Sequence, residues 1–121
     1  MTVRWFSSEN KKGTASFYNT NIVLSTVASI PFGYAYRVQV GMTNDKRVVI
    51  KPLDEEKVQN GGLDKYTIFQ ISLNKTYSRI CSVDLMRKIS NSLGIELSDR
   101  PVKFDTKWDD TENVLIIQTN N

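Results

Sequence analysis

The chain has 121 residues, 40% of them apolar and 24% charged, a globular composition that excludes intrinsic disorder. Its one cysteine, Cys81, excludes an internal disulfide, and the absence of histidine removes the commonest general base and metal ligand. A formal charge of +3 permits a nucleic-acid partner without demanding one.

The first candidate strand is Val3 to Phe6, a weak one. Thr14 to Tyr18 and Asn21 to Leu24 follow. Thr26 to Phe32 reads as a short helical turn limited by Pro31. Tyr36, Val38 and Val40 then share one face of a strand, with Arg37 and Gln39 on the other. The turn Thr43 to Lys46 leads into Arg47 to Pro52, which is rich in β-branched residues, so the pair predicts a hairpin. Glu55 to Lys65, with Asn60, Gly61 and Gly62, reads as a connector, and Asp54, Glu55 and Glu56 as solvated residues at a strand exit. Thr67 to Leu73 is a further strand.

One segment predicts a longer helix. Ser82 suits its N-cap and Asp84 its positive start. Leu85, Ile89 and Leu93 recur at a spacing of four beside Met86, and Gly94 suits the position after the last turn. Val102, Phe104, Thr106 and Trp108 then alternate with Lys103, Asp105 and Lys107. The run Asp109 to Asn113 is a turn, and Val114 to Gln118 closes the chain as a strand.

The two halves repeat an order of elements. NIVLS, a helical segment, RVQVG, a turn and VVIKPL are matched by SRICS, a helix, PVKFDTKW, a turn and VLIIQ. The expected fold is mainly β with short helices, two repeats forming one small barrel-like domain over residues 1–121. The units cover about 14–54 and 66–121, joined by a linker at 55–65. Each is too small to bury a core alone, so the pair should close around a shared one.

Nothing points to catalysis. Cys81 has no histidine to activate it, no zinc-ligand pairs exist, and Gly61-Gly62 lacks a phosphate-loop pattern. Asp109 and Asp110 belong to a turn. The chain is expected not to be an enzyme, with no catalytic residue, no metal and no cofactor. Its longest apolar runs are too short to span a bilayer, and Met1 to Asn10 has no apolar core of signal-peptide length. A cytoplasmic protein with no membrane association is therefore expected.

The stretch SRICSVDLMRKISNSLGIELSDRPVKF, followed by NVLII, resembles the AbrB/MazE/MraZ swapped-hairpin family. Arg79, Asp84-Leu85, Arg87-Lys88, Leu93-Gly94-Ile95, Ser98-Asp99 and Phe104 occupy places matching the family pattern. The family's glycine ahead of the arginine is Ser78 here, and its proline at the helix start is Ser82. The first unit matches in outline, with Ile22 aligned to Arg79. The resemblance implies a duplicated swapped-hairpin fold forming a pseudo-dimer. It also implies DNA binding by basic residues near the strand–helix junction.

Those residues are Lys75, Arg79, Arg87 and Lys88. Cations on this junction neutralise phosphates and release counterions, and arginine also reads guanine edges. The plainer reading is a solvated face. Residues 1–60 hold 8 Lys or Arg and 5 Asp or Glu, whereas residues 61–121 hold 8 of each, so the second half needs local clustering to attract DNA. Arg4, Lys11 and Lys12, beside Trp5 and Phe6, form a second basic group that reads more simply as a strand and a loop. Tyr34, Tyr36, Phe104 and Trp108 are expected in the core or in cross-strand pairs, and Cys81 as a small buried hydrophobe.

The expected function is a double-stranded-DNA-binding transcriptional regulator of the AbrB-like type. The alternative is an antitoxin-like protein–protein interaction module with no nucleic-acid role. A homodimer is compatible with either. Convergence of the four basic residues on one face favours DNA, and scatter favours the protein partner.

Overall fold

A computed structural model describes residues 1–5 and 12–120. The alternating segments form strands, beginning with β1 (Thr14–Phe17) and β2 (Asn21–Ser25). Helix α1 (Thr26–Ser29) runs into a 3-10 turn at Ile30–Phe32, where Pro31 is tolerated because it stands at the start of the turn. The hairpin of β3 (Arg37–Met42) and β4 (Val48–Leu53) follows. Helix α2 (Glu55–Asn60), a 3-10 turn at Lys65–Thr67, and the short strands β5 (Ile68–Phe69) and β6 (Ser72–Leu73) come next. The chain ends with β7 (Tyr77–Cys81), helix α3 (Val83–Leu93), β8 (Val102–Asp109) and β9 (Val114–Ile117).

All nine strands belong to one antiparallel sheet, ordered β5-β3-β4-β9-β8-β1-β2-β7-β6. Its two edge strands, β5 and β6, are consecutive in the chain and separated only by Gln70 and Ile71. Three Cα steps reach at most about 11 Å, so the ends of the sheet are brought together by covalent connection. The sheet therefore curls into a barrel-like shell. Long-range pairing holds it: β1 lies between β2 and β8, and β4 between β3 and β9.

The concave face is apolar. Ala15, Phe17, Ile22, Leu24, Val38, Val48, Ile50, Ile80, Leu115 and Ile117 are buried there. Both larger helical segments feed the same core, α1 and its turn with Ala28 and Phe32, α3 with Leu85, Met86 and Ile89. Phe17 packs on Phe104 with ring centroids 5.0 Å apart, and Phe32 meets Trp108 edge-on at 6.3 Å. The buried polar residue Ser78 is satisfied by the Ser29 hydroxyl at 2.7 Å.

Several expectations need correction. The connector holds a helix, because Asp54 caps it by accepting from the Lys57 amide at 2.8 Å, and Glu55 and Glu56 occupy its first turn. The single strand over Thr67 to Leu73 is split in two at Gln70 and Ile71. Val3 to Trp5 is not a strand, and Phe6 lies outside the described residues. Tyr34 is 100% exposed, and Trp5 is 84% exposed outside any strand. Cys81 is exposed on β7, where the inward positions belong to Ser78 and Ile80.

Candidate nucleic-acid interface

The β6–β7 hairpin carries the first two predicted residues. Lys75 stands exposed in its turn, which is closed by Asn74 N–H donating to Tyr77 O at 2.9 Å. Arg79 projects from the exposed side of β7, and its guanidinium lies 5.4 Å from the Tyr77 ring centroid. That contact orders the side chain while leaving its donors free for another acceptor.

The sheet places a further cation across from Arg79. The registers run Lys103 opposite Ser16, Ser16 opposite Val23, Val23 opposite Arg79, and Arg79 opposite Ser72. At about 4.8 Å per strand, Lys103 and Arg79 stand about 14 Å apart across two small side chains. Lys103 was not among the sequence candidates. Its alternation with Val102 and Phe104 gives its outward direction, but only the insertion of β1 and β2 between β8 and β7 brings it to this row.

The other two predicted residues lie on α3. Ser82 Oγ accepts from the Leu85 amide at 3.1 Å, Gly94 ends the helix at φ 67°, and Leu85, Met86 and Ile89 hold it on the core. Arg87 and Lys88 are both exposed but border different hollows. Arg87 edges a depression of about 290 Å³ shared with Asn19 and Thr20 of the β1–β2 turn. Lys88 edges a groove of about 240 Å³ shared with β3. Lys88 Nζ is also 3.1 Å from Asp84 Oδ2, an exposed pair one helical turn apart.

The structure thus brings Lys75 and Arg79 together on one hairpin and divides Arg87 and Lys88 between two flanks of a helix. Of the second basic group, Arg4 and Lys12 are exposed, and Lys11 lies outside the described residues. Among the described residues, no three His, Cys, Asp or Glu side chains gather as metal ligands, and no helix is long and apolar enough to cross a membrane. No family model matches the chain, and no curated protein or solved structure shows significant similarity to it.

Proposed function

We propose that the chain is a duplicated swapped-hairpin protein, with repeats at 14–54 and 66–121, that binds double-stranded DNA as an AbrB-like regulator. The carrying observation is the way the two halves pair. If Val23 is the counterpart of Arg79, then Ile22 and Leu24 correspond to Ser78 and Ile80, and all four are buried. Val23 is then paired in the sheet with its own counterpart. The other hairpins behave likewise. Lys46 and Asn113 are the two non-glycine residues with positive φ among those described, one in each turn. Matching them makes Val49 the counterpart of Ile116, again its own ladder partner.

A rotation exchanging the halves would pass between both pairs. Under it β1 corresponds to β5 and β6 together. Ser16 faces Val23 as Ser72 faces Arg79, and β1 reaches β8 of the other half as β5 reaches β3. Each half lends a strand to the other, which supports the swapped-hairpin resemblance. The alignment of Arg79 with Ile22 gives way to Val23, because Ile22 is buried and opposite Ile80.

The DNA reading follows from that resemblance and from Lys75, Arg79 and Lys103 beside the β2–β7 pair. A salt titration of binding to a random-sequence duplex tests it. The affinity should fall with salt, with a log–log slope of roughly −0.9 per phosphate contacted. Specific regulation then requires selection of an operator sequence. A weak, salt-insensitive interaction would instead favour the protein-partner reading, which the separation of Arg87 from Lys88 and the Lys88–Asp84 pair support.

A further inference from the structure

We propose that the groove between α3 and β3 is a docking site for an extended acidic peptide of a partner protein, which adds a strand beside β3. The groove has a volume of about 240 Å³. Val40, Gly41 and Met42 form one wall, and Leu85, Ile89 and Ser92 of α3 form the other. Phe69 and Tyr66 close one end, and Tyr66 is 81% exposed.

Three features identify the occupant. First, β5 pairs with β3 only at Val38 and Gln39, and the chain before it turns at Lys65–Thr67, so the edge from Val40 to Met42 has no strand neighbour on that side among the described residues. Exposed strand edges are templates for an added strand, with side-chain pockets supplying specificity. Second, the same molecule fills a similar groove with its own backbone. Between α1 and β8, Gly13 O accepts from Thr106 N–H at 3.0 Å. A Cβ on Gly13 would lie 2.6 Å from Thr106 Oγ1 and 3.0 Å from Ala28 N. With Ser16 matched to Ser72, Gly13 matches Phe69, so β5 already fills the inner part of the α3–β3 groove and the open part is the stretch along Val40 to Met42.

Third, the rim is cationic. Lys46 Nζ donates to Ser92 O at 3.2 Å, and Lys65 Nζ lies 5.2 Å from the Tyr66 ring centroid. Neither is in an ion pair among the described residues, where the ion pairs are Arg47–Asp45 and Lys88–Asp84. The nearby Asp64 carboxylate accepts from the Tyr66 amide. An amide donor leaves Asp64 charged, so Lys46 and Lys65 against Asp64 leave the rim net positive, which favours acidic residues flanking an apolar one. The chain's own exposed segment at Val3 to Trp5 carries Arg4, the wrong sign for this rim.

The test is fluorescence anisotropy with a labelled seven-residue peptide alternating aspartate with leucine and phenylalanine, read alongside amide NMR shifts of the full chain. The expected result is saturable binding with shifts at Val40 to Met42 and along α3. Ser92→Trp, at an exposed helix position, should block the groove and weaken binding at least ~10-fold. Lys46→Glu with Lys65→Glu should weaken it comparably, and a lysine-for-aspartate peptide should not bind. Circular dichroism establishes that each variant is folded. Absence of binding, equal binding of the lysine peptide, or full binding by folded Ser92→Trp would each overturn the proposal. So would a dimer in gel filtration that both Ser92→Trp and Trp5→Ala dissolve, because the occupant would then be a second copy.

Discussion

Ile89 shows how one side chain reports on the packing of a whole helix. It is 5% exposed against the sheet, so Ile89→Ala should cost about 2–5 kcal/mol in urea unfolding. A loss under ~1 kcal/mol would place this face of α3 in solvent. Gly13 is constrained differently. Its hydrogen atom faces Thr106 Oγ1 and the α1 backbone, and backbone cannot swing away, so Gly13→Ala should cost about 1–3 kcal/mol. A neutral Gly13→Ala would mean that α1 and β8 separate easily. Asp45 is set by its turn: the Thr43 hydroxyl first, then Arg47, hold its carboxyl below the ordinary value. A depressed carboxyl contributes above its unfolded pKa and loses that contribution as pH falls through the folded one. The stability gap between the parent and Asp45→Asn should therefore be present at neutral pH and shrink below about pH 4. It should be small, because the group is exposed. A gap as large at pH 3 as at pH 7 would assign it to something other than this charge.

Among the elements, α3 was the most legible because its signals are local. Ser82, Asp84, the apolar spacing and Gly94 all act within the segment they delimit. The β3–β4 and β8–β9 hairpins were legible for the same reason, each being two alternating runs around a turn. The break between β5 and β6 was not, since Gln70 and Ile71 interrupt a run that reads continuously. Helix α2 carried a usable signal that the glycines masked: Asp54 followed by two glutamates is an N-terminal cap. Its position also explains Leu53, buried outside the main core beside Leu63 and the stem of Lys57. The element bearing the candidate interface is the β1–β2–β7 strip, flanked by β8. Replacing Arg79 and Lys103 together by alanine should lower the DNA salt slope by about 2 units if both touch phosphate. The same slope in parent and variant would remove this strip from the interface.

At the scale of the molecule, neither half can satisfy its own strands. β8 needs β1, β7 needs β2, and β4 needs β9. Fragments 14–54 and 66–121 expressed separately should therefore lack cooperative unfolding, whereas their mixture should regain it. A 66–121 fragment that folds alone would show that the cross-pairing is dispensable. The DNA and peptide proposals also separate at this scale. DNA would lie along the outer strip of the sheet, whereas a peptide would occupy the groove beside α3, so the variants that disrupt one should spare the other.

Sequence by itself determined most of the strands, the β3–β4 and β8–β9 hairpins, and where α3 begins and ends, because these follow from period, caps and turns. It also offered a strand at Val3 to Phe6, where Val3 to Trp5 form none, and ran β5 and β6 together. The family resemblance singled out Lys75, Arg79, Arg87 and Lys88 together, with no local pattern to separate the first two from the last two. Tertiary structure alone decided the neighbours: that β1 bridges β8 and β2, that Lys103 joins the row of Arg79, and that Arg87 and Lys88 face different hollows. Strand pairing between distant segments leaves little local trace. An outward-facing residue has the same pattern whatever strand lies beside it.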